Sequence, residues 1–492
     1  MHAGGGGNNN DNKGDGPSLP GDSDLFEIGG IVSGLSGNLT LRNNGDNELT
    51  VTEDGTFVFT NKLTSGSSYA VAVAVQPVGQ TCAVTNETGS VASSDVTDIL
   101  VSCVSNGSLS GTIRNYFTGE IISNAEIIAT HFKDGVSVEI GRGLSDENGD
   151  FGIALNQTVL GRININADAL AFGAQSVIAE SGEAGSEVIA NVLLQPVHVI
   201  AEFDPSEDVA INAGDIPVVT LGANSLTGPE GTSIVGNVTA ELTVIDPSSD
   251  PGVMPGDFQA INLADNSIMP IESYGAFNVT FRDDAGSRLQ LSAGSDAEVR
   301  IPLASAKVPA QSPSTIPLYY FDIERGFWVE EGEAVLTEVA TGAWAYVGTV
   351  EHFSTWNADQ VYQTSFINGC VENEEGARIS GAQIEAQGQD YIGVSSSVTG
   401  SGGEFRIAVK SDSGVLLRAR RSGQSNTLSA RSLSVGQELT LDTCVIIGSA
   451  AITVTLTWGE QPSDLDSPCS GLMVLAVSFI FITAMSRWRW KA

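Results

Sequence analysis

The stretch NLTLRNNGDNELTVTEDGTFVFTNKL, residues 38–63, alternates apolar and polar side chains almost without interruption. A period of two places every second side chain on one face of a β-strand. The turn formers Asn43-Asn44-Gly45 and Asp54-Gly55 interrupt the alternation at short spacing, as hairpin turns do. The run SYAVAVAVQP, residues 68–77, continues the pattern. We therefore predict that residues 27–105 form an all-β sandwich.

Length and composition extend this prediction to the whole chain. The 492 residues exceed one domain and indicate about three to five. With 22 Lys and Arg against 59 Asp and Glu, the net charge is −37, which argues against nucleic acid and anionic membrane surfaces as partners. The 56 glycines and the scarcity of long helical patterns favour short strands joined by turns over an α/β enzyme fold.

The cysteines indicate the compartment. There are five, and none forms a Cys-x-x-Cys pair, while the four histidines are scattered, so a zinc site is not expected. Two pairs each lie inside one candidate domain and predict two disulfides, Cys82–Cys103 and Cys370–Cys444. The alternative is four buried free thiols. Disulfides require an oxidising compartment, which implies export.

Residues 1–26 are rich in Gly and Asn and are predicted to be a flexible linker. They resemble the tether that follows the lipidated cysteine of bacterial lipoproteins, although that cysteine is absent. Met1-His2-Ala3 leads directly into glycines, so no signal peptide is expected, and a late start codon would reconcile this with export. The predicted location is extracytoplasmic, at the cell surface or associated with an outer membrane.

Three segments resemble known modules of surface proteins. Residues 27–105 carry GxVSGLxGxxxLxNNG, then GQTC and VSC, and resemble a repeat of bacterial surface proteins. Residues 106–196 and 363–447 resemble each other and the carboxypeptidase regulatory-like domain, a seven-stranded prealbumin-like sandwich. The matching positions are Gly111 with Gly369, Ala125 with Ala382, and Phe151 with Phe405. We expect the glycines to relieve strain at turns and the aromatic rings to anchor a hairpin. The resemblance implies a stalk or accessory module without peptidase activity.

Residues 197–362 carry IPLYYFDIERGFWVEEG and HFSTWN. In this order the motifs resemble the Ig-like sandwich region of cartilage intermediate layer protein and its relatives. That family is structural and is found in extracellular or membrane-proximal proteins. The resemblance therefore implies a structural module. The fold class expected for the chain is all-β, as tandem antiparallel sandwiches.

The C-terminal part has two interpretations. Residues 448–467 resemble the first strand of YfaP-like domains, whose pattern continues with His-Leu. Here Pro468-Cys469 follow instead, and residues 468–492 form an apolar tail ending in Arg487-Trp488-Arg489-Trp490-Lys491. Taken literally, residues 470–486 are a transmembrane helix that provides membrane anchorage. Alternatively the tail is a frameshift artefact, because one restored base turns Ser-Pro-Cys into the Ser-His-Leu of the family, and the chain then continues into a fifth β domain.

Two acidic features were weighed as metal sites. Residues 146–150, DENGD, look like a calcium loop, but the twelve-residue spacing and terminal Glu of such a loop are missing, so a hairpin turn is predicted. Asp283-Asp284 and Glu330-Glu331 are predicted to be solvated. No cofactor is expected, although a charge of −37 is compatible with weak Ca²⁺ binding.

His352-Phe353-Ser354 is the one catalytic-looking combination. In some related proteins the serine hydroxyl of such a site attacks the preceding carbonyl and the chain cleaves itself, with imidazole as the general base. The alternative, which we favour, is structural: phenylalanine fills the core while His352 and Ser354 satisfy strand ends. No other catalytic residues are predicted.

Aromatic residues offer a third option. Tyr319, Tyr320, Phe327, Trp328 and Trp344 would form a sugar-stacking platform if exposed, but their strand-like spacing favours core packing. The sequence thus predicts a non-enzymatic, modular cell-surface or secreted scaffold of adhesion type. Its expected partner is an extracellular protein or glycan. The alternatives are a surface protein that cleaves itself at Phe353-Ser354 and a carbohydrate-binding accessory protein.

Overall fold

Strands make up nearly all the regular structure of the chain. The computed structural model describes residues 25–182, 185–248, 250–421 and 424–448, which contain strands β1 to β39. The helical elements among these residues are three short 3-10 turns, at Pro229–Gly231, Pro251–Val253 and Pro309–Gln311. The all-β prediction is confirmed. The strands form four successive groups, here called modules one to four, each around its own hydrophobic core. The limits of separate domains stay a prediction.

Module one packs two four-stranded sheets, in the orders β5-β2-β10-β8 and β4-β3-β7-β9, with a short β1–β6 pair beside them. Between the sheets lie the inward residues of the alternating runs, such as Leu39, Leu41 and Val71. The strands are β1 Leu25–Phe26, β2 Ile28–Ser33, β3 Leu39–Asn43, β4 Asn47–Val51, β5 Gly55–Val58, β6 Leu63–Thr64, β7 Ser68–Val75, β8 Gln80–Thr85, β9 Thr88–Ser90 and β10 Val96–Ser105.

Module two is also a sandwich. One sheet has the order β14-β11-β17, with β18 also paired to β11, and the other has the order β13-β12-β15-β16. The strands are β11 Ser108–Asn115, β12 Glu126–Lys133, β13 Val136–Leu144, β14 Asp150–Ala154, β15 Gly161–Asp168, β16 Gln175–Ser181, β17 Glu187–Ile189 and β18 Val192–Leu194.

Module three differs from the predicted pair of sheets, because its thirteen strands form one continuous sheet. Its main path is β19-β23-β25-β31-β28-β29-β30-β27-β21-β20. The long strands β25 and β29 change register along their length, so one strand can serve both layers around the core. The strands are β19 Val199–Phe203, β20 Val209–Ala213, β21 Ile216–Leu221, β22 Leu226–Thr227, β23 Val238–Ile245, β24 Gln259–Ile261, β25 Ile268–Asp283, β26 Arg288–Leu291, β27 Ala297–Pro302, β28 Thr315–Asp322, β29 Phe327–Ala340, β30 Ala343–Val350 and β31 Thr355–Val361.

Module four repeats the plan of module two. One sheet has the order β35-β32-β38, with β39 paired to β32, and the other has the order β34-β33-β36-β37. The strands are β32 Thr364–Glu372, β33 Gln383–Gly388, β34 Val394–Val398, β35 Glu404–Lys410, β36 Gly414–Arg421, β37 Gln424–Arg431, β38 Glu438–Thr440 and β39 Val445–Ile446.

The matched glycines and aromatic residues of modules two and four are direct cross-strand neighbours. Gly111 on β11 faces Phe151 on β14, and Gly369 on β32 faces Phe405 on β35. A Cβ at Gly369 would meet the Phe405 ring, and a Cβ at Gly111 would meet first the Ala190 carbonyl and then the Phe151 ring. The glycines are therefore in strands and make room for the ring, so the expectation that they relieve turns is wrong.

A second detail recurs in these two modules. In module two the Ser145 hydroxyl donates to the Ile122 carbonyl and accepts from the Ala125 backbone N–H, at 2.8 and 2.9 Å. In module four the Thr399 hydroxyl makes the equivalent bonds to the Ile379 carbonyl and the Ala382 N–H, at 2.7 and 2.8 Å. Both alanines are fully buried. The two modules thus share hydrogen bonding as well as topology.

The pairing directions correct the expected antiparallel arrangement. In module one β10 lies parallel to β2, and in module four β38 and β39 lie parallel to β32. Module two has the same feature, because β17 and β18 lie parallel to β11. The first and last long strands of a module become neighbours only after the intervening strands have folded. Local alternation carries no information about that direction.

Both disulfides join the cysteines paired from the sequence. Cys82 on β8 lies opposite Cys103 on β10, with their Cα atoms 4.0 Å apart. Cys370 on β32 is bonded to Cys444, which directly precedes β39, with Cα atoms 4.5 Å apart. The first bond crosses one sheet, and the second ties the beginning of module four to its end.

The predicted terminal segments fall largely outside the described residues. Strand β1, Leu25–Phe26, contains the last two residues of the predicted linker, and residues 1–24 lie outside the described residues. The YfaP-like segment and the apolar tail lie outside the described residues, apart from Gly448. Within the described part of the chain, no helix is long and apolar enough to cross a membrane. Membrane anchorage through residues 470–486 stays a prediction.

We expect thiol labelling of the exported chain, denatured without reductant, to detect one cysteine at most, Cys469. Reduction should then lower the stability of modules one and four, by about 2–5 kcal/mol for each lost bond. Mass spectrometry of the labelled peptides identifies the reactive residue. Detection of four or five free thiols would contradict both bonds and the inference of export.

Candidate functional site

The His352-Phe353-Ser354 segment lies between β30 and β31, beside a cavity of about 350 Å³ lined by residues of modules two and three. The Phe353 ring is buried against Phe281. The Gln290 amide holds the Phe353 backbone on both sides: it donates to the Phe353 carbonyl at 3.0 Å and accepts from its N–H at 2.7 Å. Phenylalanine therefore fills the core at this position.

The imidazole and the hydroxyl of this segment make separate contacts. The Ser354 hydroxyl donates to the Thr355 carbonyl at 3.1 Å. The His352 ring lies edge-on to Tyr320, and its Nε2 is 3.6 Å from the Glu331 carboxylate. Among the hydrogen bonds of the described residues, none joins His352 to Ser354. This geometry provides no activated hydroxyl.

Most of the aromatic side chains considered for sugar stacking are in the core. Tyr319 and Trp328 are completely buried and Phe327 is 5% exposed. The Trp328 indole N–H donates to the Asp257 carbonyl at 3.1 Å. Tyr320 and Trp344 are half-buried. A stacking platform made of all five residues is therefore ruled out. Phe327 and Trp328 are neighbours on β29 and lie in different apolar clusters, so both faces of the strand are covered there.

The acidic stretch 146–150 is a tight turn. The Asp146 carboxylate accepts from the backbone N–H groups of Asn148 and Asp150, at 2.8 and 3.0 Å. Gly149 takes the left-handed conformation that closes the turn. Across the described residues, no group of three or more acidic, His or Cys side chains is placed to hold a metal ion.

The junction between modules two and three is built around a buried ion pair. Arg162 on β15 contacts both oxygens of Asp257 in module three, at 2.5 and 2.9 Å, and donates to the Gly326 carbonyl at 2.6 Å. Its guanidinium also lies 4.2 Å from the centre of the Phe327 ring. The side chains of Arg162 and Asp257 are 17% and 8% exposed. Such a partly desolvated, bidentate pair fixes one relative orientation of its two partners.

Further hydrogen bonds reinforce this junction. The Asn164 side chain donates to the Ile323 carbonyl at 2.6 Å. The Tyr116 hydroxyl donates to the Asp250 carboxylate at 2.9 Å. Burial, followed by the bond to Asp250, raises the pKa of Tyr116 to about 12, so the hydroxyl keeps its proton at neutral pH.

The junction between modules three and four is centred on Glu272 of β25. One carboxylate oxygen contacts Lys307 of module three, and the other contacts Lys410 of module four at 2.6 Å. The Glu272 side chain is only 6% exposed. Burial lowers the pKa of Lys307, while the attraction of Glu272 opposes that shift. One carboxylate thus joins cations from two modules.

Asp359 on β31 lies beside this cluster and is completely buried. The Asn357 amide donates to its Oδ2 at 2.6 Å, while its Oδ1 has no partner among the described residues. Burial raises the pKa of Asp359 well above the usual value, and the nearby Glu272 carboxylate adds to the shift. Sequence reasoning missed Glu272 and Asp359. The available signal was an acidic residue inside an otherwise apolar or aromatic strand, as in IESYGAF and TWNADQVY.

No protein-family model matches the chain, and no curated protein matches it. The resemblances drawn above therefore rest on their quoted motifs. Among solved structures, a streptococcal ancillary pilin matches with TM-score 0.26 and 12% identity, over 36% of this chain and 64% of the pilin. The Bacillus anthracis TIE protein gives TM-score 0.17 and 8% identity, over 87% of this chain and 76% of that one. The major pilin SpaD of Corynebacterium diphtheriae gives TM-score 0.16 and 12% identity, over 70% and 98%. Likeness at these TM-scores carries no argument about fold or function.

We expect Ser354→Ala to leave migration on a denaturing gel unchanged, because the Ser354 hydroxyl is bonded to a carbonyl and not to His352. Wild type should run as one band. If wild type instead gives two bands and Ser354→Ala gives one, with the new N-terminus at Ser354, the chain cleaves itself.

We expect Asp359→Asn to stabilise the chain increasingly as pH rises. Because its folded-state pKa is raised, the carboxyl of Asp359 contributes stability that is fully present below its unfolded-state pKa and lost as pH rises through the folded-state pKa. Urea unfolding at about pH 4 and about pH 8 measures the difference between variant and wild type. Asp46→Asn, at an exposed turn, is the matched control. An equal effect at both pH values would show that Asp359 is ionised in the folded chain.

Proposed function

We propose that this chain is a non-enzymatic modular surface scaffold that holds β modules in fixed positions and presents them to an extracellular partner. The observation that carries this proposal is the pair of ion-paired junctions around module three. At the junction of modules two and three, Arg162 forms an ion pair with Asp257. At the junction of modules three and four, Glu272 forms ion pairs with both Lys307 and Lys410. Both junctions use charges that are largely removed from water.

Buried charges make these junctions different from ordinary contacts between domains. Interfaces within a chain are usually modest and permit relative motion. Separation of modules three and four would leave Lys410 without its carboxylate and open the buried Glu272 site to water. The modules are therefore held in one arrangement, as the spacing of binding surfaces requires.

Neutral hydrogen bonds connect modules one and two in a similar way. The Asn106 side chain donates to the Leu155 carbonyl at 3.2 Å and accepts from the Thr81 hydroxyl at 2.7 Å. The Thr158 backbone N–H donates to the same hydroxyl at 3.3 Å. These bonds extend the fixed arrangement toward the N-terminal module.

The disulfides support an extracytoplasmic location for this scaffold. Bonds in modules one and four persist only where the environment is oxidising, which fits the cell surface, an outer-membrane-associated position or secretion. A protein or a glycan outside the cell is the partner class that suits this location. The acidic net charge keeps such a chain soluble and disfavours nucleic acid.

We expect Glu272→Gln to uncouple module four from module three, because two lysine charges would then face each other without a carboxylate. In wild type, strands β27 and β36 should lose protection in one urea transition, as measured by hydrogen exchange of their peptides. In the variant β36 should unfold first. Glu48→Gln breaks an exposed pair with Arg42 and should shift stability by less than about 1 kcal/mol. Separate transitions already present in wild type would contradict a fixed arrangement.

A further inference from the structure

The outward face of one sheet of module four concentrates arginine. In this sheet, ordered β34-β33-β36-β37, the strand alternation turns Val415, Leu417 and Ala419 into the core. The alternate residues Arg418 and Arg420 of β36 face outward, as does Arg431 of β37, which lies opposite Gly414. Arg421, at the end of β36, is exposed, but by the same alternation it belongs to the other side of the strand. We call the outward surface that carries Arg418, Arg420 and Arg431 the arginine face.

The guanidinium groups of this face are weakly neutralised. Arg418 lies 3.5 Å from Glu385, with side chains 44% and 28% exposed, and Arg431 lies 3.9 Å from Asp390, with side chains 71% and 48% exposed. Arg420 donates from Nε to the neutral Gln383 side chain at 2.8 Å. Among the described residues, no carboxylate lies within ion-pair distance of Arg420 or Arg421. Exposed ion pairs at such distances contribute little to stability, so these guanidinium groups can exchange a protein carboxylate for a carboxylate of a ligand.

Module four is the richest of the four modules in basic residues. Residues 363–447 hold seven of the 22 Lys and Arg residues, with nine acidic residues, whereas residues 197–362 hold only five basic residues. A charge more than a Debye length away, about 8 Å at physiological salt, is largely screened. A ligand at the arginine face therefore encounters the local guanidinium groups and little of the net charge of −37.

We propose that the arginine face binds an acidic polysaccharide, with guanidinium groups on its carboxylates. The planar guanidinium matches a carboxylate with two parallel hydrogen bonds, and Arg418 and Arg420 present two such groups on the same face of one strand. Gln383 and Gln387 lie on the same face, where their amides can bond to sugar hydroxyls. Binding of this kind is independent of the scaffold role.

The composition of the face favours a polysaccharide over a protein. Protein interfaces are centred on aromatic or large apolar side chains in desolvated pockets. The outward residues of β33 and β36 include no aromatic side chain, and Leu416, the large apolar one, is only 8% exposed. The face is flat, polar and cationic, which suits an extended, hydrated and charged chain.

The test is binding of polygalacturonate, a polymer of uronic acid, by the full chain at low salt, measured by calorimetry. We expect binding that weakens as salt is added and no binding of neutral dextran. Arg418→Gln with Arg420→Gln should weaken binding by about tenfold or more. Ser425→Glu, which places a carboxylate opposite Arg420, should weaken it independently. The matched control is Arg42→Gln with Arg142→Gln, two exposed arginines of other modules, which should bind as wild type.

Each of the following outcomes would overturn the assignment of the arginine face as the binding site for an acidic polysaccharide. Absence of binding at low salt, or equal loss in the control pair, would show that the arginine face is not the site. Equal binding of dextran would show that charge is not recognised. Binding of double-stranded DNA or of an acidic protein as tight as that of polygalacturonate would show a general polyanion surface. Unchanged melting temperatures confirm that the variants remain folded.

Discussion

A buried carboxylate is stable only when a cation or hydrogen-bond donors compensate its charge. The arrangement of the modules in this chain depends on that constraint at Glu272. Its two oxygens contact lysines of two different modules: Lys307 compensates the charge within module three, and Lys410 reaches the second oxygen only when module four is docked. Asp257 imposes the same condition on Arg162 at the other junction. Apolar contacts alone would allow the modules to slide, since hydrophobic attraction has no direction. Charge pairing makes one docking geometry far more favourable than its neighbours.

The repeating side-chain pattern was sufficient to predict the strands but not their connections in space. Alternation in residues 38–63 and 68–77 identified strands of module one, because one buried face requires a period of two. It could not show that β10 runs parallel to β2, or that the strands of module three form a single sheet. Both depend on contacts between residues far apart in the sequence. Gly111 and Gly369 show the same limit, since a glycine in a strand and one in a turn look identical from sequence alone.

Function was harder to predict because the important side chains act in pairs. His352 and Ser354 are only two positions apart in the sequence, yet their polar groups contact different partners. Lys307 and Lys410 are far apart in sequence, yet they share one carboxylate. Net charge also concealed local charge, because an average of −37 gives no sign of the guanidinium groups gathered on β36 and β37. Residue spacing and net charge both fail to predict function where the chemistry depends on side chains that are neighbours only in the folded structure.

The parallel pairing of first and last strands has a mechanical consequence. In module four, β32 begins the fold and β38 and β39 end it, lying beside β32 and running in the same direction. The two chain ends therefore leave from opposite ends of one ladder. Tension applied along the chain would load the hydrogen bonds of that ladder in shear, so that they resist together instead of opening one by one. The Cys370–Cys444 bond bridges the same strands and sets a covalent limit to their extension.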